Sequence, residues 1–381
     1  MECERGLAGA MGSLPAGDSG SHMARKRDEA HPARHHSVSW QAVVRAVAYA
    51  LAVVVAMGGV VLWALTVGRY PVSSGELLRW MVAWSGWSGG ADMPPQRLDV
   101  LHNLVVEIRL PRVLAALLVG GALSISGAAY QSVFRNPLVS PGLMGVLAGA
   151  AFGAALGHLL SGNWWVIQLA AFGMGVLAVL LGLGIAGIFG QGSLVMLVLG
   201  GVISSGLFTA LLSVAKYLAD PQEQLPAIVY WLMGSLARAN TDLVLQMAGP
   251  LVISVTVLLA LAKALDVLSL GDDEAQSLGV PVTAVRYAVI AAATLASALT
   301  VSMAGMIGWI GLLIPHLARL LVGPVNAKVL PLSVVLGGIF LLAADVVART
   351  VGPAEIPIGI VTELLGIPVF ILLLHRVHKG W

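Results

Sequence analysis

The sequence predicts an all-α polytopic membrane protein with ten transmembrane helices, and three observations carry that expectation. Hydrophobic residues fill 58% of the 381 positions and charged residues only 10%, where a soluble domain carries about 25% charge. Apolar runs long enough to cross a bilayer, roughly 18 residues or more, recur along the chain. The 45 glycines suit membrane helices, whose backbones approach closely at small residues. A membrane barrel would show short alternating strands instead, and none are present. A net charge of +2 gives no sign of nucleic-acid binding. The single cysteine, Cys3, excludes a disulfide within the chain.

Residues 1–42 are polar and rich in Gly, Ser, His and charge, so they are expected to be a disordered tail. Within them Gly20-Ser21-His22-Met23 resembles an expression-vector scar. Residues 43–381 are expected to form a single transmembrane domain. The first apolar run is too long for a cleavable signal and reads as an anchor.

Ten spans follow: Val43–Val67, Val113–Val133, Gly142–Leu160, Trp164–Phe189, Leu194–Leu218, Leu243–Leu265, Val282–Met306, Ile307–Leu321, Val329–Ala348 and Ile356–His375. The seventh and eighth run together through Gly305-Met306-Ile307-Gly308, and merging them would move the C-terminus across the membrane. With ten spans both termini share a side. The excess of Lys and Arg on that side makes it the cytoplasm.

Between the first two spans lies the one sizeable outer loop, Gly68 to Ile108. Ser73 or Ser74 is placed to cap a short helix through Glu76 and Trp80. Trp80, Trp84 and Trp87 suit an interfacial aromatic belt. The second and third spans make a hairpin turning on Asn136 and Pro137. Ser140 is the expected N-cap of the third span, with Pro141 at its first helical position. Gly145, Gly149, Gly153 and Gly157, four apart, form a smooth packing seam on that span.

Ionisable residues at membrane depth are costly and point to function. Asp345 and Arg349 stand four apart, acid first, in the favourable helical order. Arg109 and Arg112 flank Pro111. These three arginines lie at the predicted outer ends of spans, and an arginine set there suits carboxylates on a docking partner. Glu355 precedes the tenth span, where an acid favours a helix start, and Glu363 lies deeper within it. Pro315, His316 and Arg319 stand at the inner end of the eighth span.

The densest acidic cluster interrupts the apolar pattern at Leu268–Val280. Gly271 and Gly279 bracket a short helix, with Asp272 as its cap and Asp273 and Glu274 in its positive first turn. Such a helix, between two spans, lies outside the lipid on the cytoplasmic side. The sequence contains no phosphate-binding loop of the Gly-x-x-x-x-Gly-Lys-Ser/Thr type and no hydrolase or metalloprotease signature.

Several segments, in order, resemble the permease subunits of type II ABC importers for iron chelates, haem and cobalamin. They are Arg109-Leu-Pro-Arg112; Gln131 to Leu138 with Pro141; Trp231 to Leu236; Leu270 to Gly279; Gly308 to Arg319; and Ala344 to Arg349 followed by Glu355 to Thr362. The resemblance runs from about residue 43 to the end. It implies a homodimer with a path at the dimer axis, two separate ATPase subunits and a periplasmic binding protein, in the bacterial inner membrane. It further implies a coupling helix at 269–280 that uses Gly271, Asp272, Asp273, Glu274, Ala275, Leu278 and Gly279, with Ala275 and Leu278 sharing a face toward the ATPase. Arg109, Arg112 and Arg349 become the docking set for the binding protein. The fifth and tenth spans become path helices. The expected cargo is a ferric siderophore, with haem or cobalamin as alternatives, and no cofactor is implied. Glu363 departs from the family pattern. If it lines the path it disfavours an anionic cargo; if it faces a neighbouring helix it says nothing of cargo. Two other classes compete: an ion-coupled secondary transporter using Asp345, Glu363 and His316 as a relay, and an intramembrane enzyme, for which no motif exists.

Overall fold

The structure is a computed structural model that describes residues 40–68, 70–85, 93–190 and 193–378. The polar tail through residue 39 and Trp87 lie outside them. Among the described residues there are helices and turns and no strands.

Fifteen α-helices follow in order: α1 Trp40–Thr66, α2 Ser74–Trp84, α3 Pro95–His102, α4 Leu110–Val133, α5 Val146–Leu160, α6 Trp164–Phe189, α7 Leu194–Leu218, α8 Gln224–Leu232, α9 Thr241–Ala260, α10 Ala262–Leu268, α11 Asp272–Ser277, α12 Val282–Ala304, α13 Ile310–Val322, α14 Asn326–Thr350 and α15 Ile358–His378. Among the described residues six are long and apolar enough to cross a membrane: α4 with its N-terminal extension, α6, α7, α9, α12 and α14. Four shorter apolar helices (within α1, α5, α13 and α15) occupy the remaining expected spans. Arg112, near the start of α4, and Asp272, joined to Arg135 just past its other end, mark the two ends of the bundle, the Arg112 end and the Asp272 end.

Helix α4 is the hub. Nearly all of it is buried, and it packs on α9, α12, α13 and α14. Two glycines make this possible. A β-carbon on Gly120 would lie 2.2 Å from the Gly337 carbonyl oxygen of α14, and one on Gly127 would lie 1.9 Å from that of Gly311 on α13. The expected α5 seam is present on Gly149, Gly153 and Gly157, which meet α6 at Met174, Ala170 and Ile167. Gly145 does not belong to it. It adopts φ +88° ahead of α5 and faces Ser204 and Ser205 of α7.

Other boundaries differ from expectation for local reasons. Pro141–Met144 forms a 3₁₀ turn, so α5 begins at Val146 and the Ser140 side chain makes no cap bond. The sixth span breaks at Leu261 into α9 and α10. The seventh and eighth are separate. Gly305 and Trp309, both at positive φ, interrupt the chain between α12 and α13. Helix ends there are tied together by backbone bonds: Ser235 N–H donates to the Ala304 carbonyl, Ile358 N–H to Gly234 and Gly359 N–H to Met233. Such pairing satisfies non-helical backbone held between apolar spans.

In the segment between α1 and α4, Ser73 rather than Ser74 caps α2, and Glu76 completes a reciprocal capping box. Arg97 of α3 bonds Glu76 at 2.7 Å and holds its carboxyl below the usual carboxylate range. Trp80 is buried and stacks on exposed Trp84, so Trp80 belongs to the packing of this loop.

Candidate functional site

Two polar constellations stand at opposite ends of the bundle. The Asp272 end is built on the short helix α11. Gly271 takes φ +146°, open to glycine alone, and the Glu274 carboxylate folds back over it into the space a β-carbon would need. Gly279, at φ +81°, ends the helix. Its N–H donates to the Gln276 carbonyl, and Val280 N–H donates to that of Ala275. These two bonds are the Schellman arrangement that satisfies a helix's last carbonyls.

Asp272 does not cap α11, as the sequence pattern predicts. Gly271 occupies the cap position, and Asp272 is clamped between two arginines. Arg286, four residues past the start of α12, donates to its Oδ2 at 2.7 Å. Arg135, in the turn after α4, binds its Oδ1 and also donates from Nε to the Leu268 carbonyl at 3.0 Å. Partial burial alone would raise the Asp272 carboxyl. Hydrogen bonds and charge from Arg286 and then Arg135 outweigh it, and the group sits below the ordinary carboxylate range. Within α10, Asp266 caps α14 by accepting from Asn326 N–H at 2.5 Å and Ala327 N–H at 3.3 Å. Asn326 in turn accepts from Ser132 of α4 at 2.6 Å. The α10–α11 connection is thus fastened to α4, α12 and α14.

A depressed carboxyl stabilises the fold above its unfolded value, about 3.9, and that stabilisation is lost as pH falls below it. The protection of residues 272–278 against hydrogen exchange, taken relative to the unfolded chain at the same pH, should therefore fall on acidification below about pH 4. Asp272→Asn should exchange fast already at neutral pH and lose that pH dependence.

Ala275 and Leu278 do not share a free face. Ala275 is fully buried against the chain's own core, while Leu278, which leaves the helix at its C-cap, is 64% exposed. Leu270 is exposed to the same degree. The outward surface of this connection is therefore Leu270 and Leu278, with the acids Asp273 and Glu274 between them in sequence.

The turn before it also takes the form its residues dictate. Asn136 Oδ1 accepts from Leu138 N–H at 2.9 Å, a turn that leads into Pro137 and Pro141. Arg319 of α13 binds Gln131 of α4, whose amide donates to the Gly311 carbonyl at 3.3 Å. His316 lies one turn earlier, beside Phe370 of α15, and Pro315 is buried within the same helix.

At the Arg112 end the three arginines face inward. Arg112 forks between two carboxylates: Nε meets Asp345 at 2.9 and 3.1 Å, and Nη1 and Nη2 meet Glu355 at 3.1 and 3.0 Å. Arg349 reaches the same Asp345 at 3.7 Å and donates to the Ala64 carbonyl at 2.5 Å. Arg109 donates to the carbonyls of Leu65, Thr66 and Tyr70 at the end of α1. Arg109, Arg349 and Asp345 are all under a tenth exposed. Partners within the chain thus engage all three arginines of the expected docking set. Glu355 serves as a partner of Arg112.

Asp345, Glu363 and His316 form no relay, because Asp345 is held by arginines and no hydrogen bond joins the three among the described residues. Glu363 stands exposed on α15 with its carboxylate near Gly308. No cluster of metal-ligating side chains occurs among the described residues.

Comparison with known proteins agrees with this architecture. The FecCD transport family model matches residues 53–376. The chain is 40% identical over 320 residues to the molybdate import system permease protein MolB of Haemophilus influenzae, covering 83% of this chain and 92% of the relative. It is 42% identical over 283 residues to an iron chelatin transport system permease of Helicobacter pylori, covering 74% and 85%. A hemin transport permease of Yersinia pestis is 38% identical over 287 residues, covering 73% and 85%. A solved structure described as an inward-facing metal-chelate type ABC transporter superposes with TM-score 0.76 at 36% identity, covering 86% of this chain and 98% of that one. The chain belongs to the FecCD transport family of ABC importer permeases.

Proposed function

We propose that the chain is the non-catalytic translocation subunit of an ATP-driven importer that carries a ferric chelate from periplasm to cytoplasm across the bacterial inner membrane. The observation that carries this reading is the α10–α11 connection. It is a short helix outside the spans, rigidly fastened to three of them, with an apolar side chain turned outward. Such an element converts a push from a partner into rigid-body motion of spans. Two copies of the chain assemble around a shared path, two ATPase subunits seat Leu278 and its neighbours from the cytoplasm, and a periplasmic binding protein delivers the cargo. Both termini are cytoplasmic. Glu363, exposed on a spanning helix where lipid would penalise its charge, faces the path. Haem and cobalamin remain alternative cargoes of the same mechanism. Molybdate is a further reading, favoured by the Haemophilus influenzae relative that covers 83% of this chain.

The test reconstitutes the chain with its ATPase and binding protein and measures uptake of labelled ferric chelate and of molybdate. ATP-dependent uptake that persists with an uncoupler is expected. Uptake without the ATPase, abolished by an uncoupler, would establish the secondary transporter instead. In the same assay Leu278→Asp should leave the chain folded but reduce uptake at least tenfold while ATP hydrolysis continues, because a desolvated charge costs more than about 1.4 kcal/mol at a packed contact. Unchanged uptake would make this stretch a connector only.

A further inference from the structure

A second site stands apart from the coupling connection. Where α5 and α12 end and α6 begins, α8 and the turn after it line a half-open cavity of about 410 Å³, with Arg238 at its exposed rim. Its walls include Trp164, Tyr230 and Trp231, and its polar groups include His158, Ser235 and Arg238. This volume falls in the range of small-ligand sites, which are mostly apolar with a few placed polar groups.

Each of these polar groups can donate a hydrogen bond. Arg238 lies with its guanidinium carbon 4.6 Å from the centre of the Trp164 ring. That cation–π contact consumes none of the fork's N–H groups. Among the described residues Arg238 pairs with no carboxylate, unlike Arg112, Arg135, Arg286 and Arg349. His158 brings a ring nitrogen, Nε2, that is shielded from solvent and has no hydrogen-bond partner. Ser235 accepts from the Ala237 N–H at 3.1 Å, which leaves its hydroxyl proton to donate elsewhere. No acid lines the cavity, and Glu363 is not among its walls.

We infer that this cavity is a binding subsite for an aromatic oxyanion, the flat anionic donor group of a metal chelate. Arg238 supplies a fork for two oxygens, His158 and Ser235 supply further donors, and the tryptophans and Tyr230 receive the ring. One imidazole is too few ligands to hold a bare metal ion, and no group of three metal-ligating side chains occurs among the described residues, so recognition falls on the chelator. The inference rests on the importer reading for the source of the ligand, and it narrows the cargo to chelates that carry such groups.

The test titrates salicylate into the full chain in phosphatidylcholine nanodiscs, followed by saturation-transfer NMR. Salicylate should bind, and phenol, which lacks the carboxylate, should bind at least tenfold more weakly. Arg238→Gln should weaken salicylate at least tenfold with an unchanged melting profile, and Arg238→Lys should fall between. Equal binding of salicylate and phenol, unchanged binding by Arg238→Gln, or no binding to the native chain would each overturn the site. Phosphatidylglycerol added to the nanodiscs should leave the affinity unaltered. Loss of salicylate binding on that addition, with lipid retained by the native chain and not by Arg238→Gln in native mass spectrometry, would assign the cavity to a lipid headgroup. Because no ATPase is present, failure here leaves the importer reading intact, and failure of ATP-dependent uptake leaves a measured binding site standing.

Discussion

Arg112→Ala should destabilise the protein by about 3–5 kcal/mol, the usual cost of removing one partner from a buried ion pair. The reason lies in what it leaves behind. Asp345 is 1% exposed, and its closest cation is Arg112. Without that cation the carboxylate keeps only Arg349, at 3.7 Å, and Glu355 loses both of its bonds to Arg112. Asp345→Asn should cost less, since it removes a buried charge along with the pairing. Glu355→Gln should cost least, because Glu355 is 29% exposed and water replaces part of what is lost. Arg112→Lys should recover little, since one ammonium cannot present two parallel bonds to each of two carboxylates. Thermal melts of the four variants in one detergent check the order. If Arg112→Ala melted like the native chain while binding-protein affinity fell, the arginine would belong to a docking surface after all.

That contrast shows where the sequence was legible. Hydrophobic runs located the spans because burial in lipid acts on each segment separately. A glycine marked one sharp event, the stop at Gly279, because positive φ is a local demand, whereas the break at Gly305 was hidden in a continuous apolar run. Partners were another matter. Arg112 and Asp345 lie 233 positions apart in the chain, and nothing local distinguishes an arginine awaiting a foreign carboxylate from one already paired. Asp272 was misplaced for a similar reason. An acid before a short helix ordinarily caps it, yet here Gly271 caps and the acid turns to Arg135 and Arg286. Arg286 was findable. It is a cation near the start of an apolar span, and the reasoning that singled out Asp345 on cost applies to it equally. Ala275 and Leu278 were paired by helical spacing, but α11 ends at Ser277 and Leu278 has already left the helix.

Gly127→Ala should cost about 3 kcal/mol or more, above the middle of the range for overpacked cores. The added methyl would stand 1.9 Å from the Gly311 carbonyl oxygen and 2.6 Å from its α-carbon. Those are backbone atoms, so no side chain can rotate aside. α4 and α13 must separate, and α4 is held by α9, α12 and α14 as well. Gly120→Ala should behave alike at the α4–α14 crossing, where the obstruction is the Gly337 carbonyl at 2.2 Å. Adding Gly337→Ala to Gly120→Ala should cost less than the sum of the two single changes, because the first methyl has already opened the crossing that the second would enter. Gly173→Ala on α6 is the control. Nothing lies within 4 Å of its added methyl, so replacing a helical glycine there should be neutral or stabilising by up to about 1 kcal/mol. Melting temperatures of the five proteins decide it. A Gly127→Ala variant as stable as Gly173→Ala would mean that α13 moves freely against α4. The hub would then be a sliding contact, and the rigid transmission that links α11 to the spans would have to run through α12 and α14 alone.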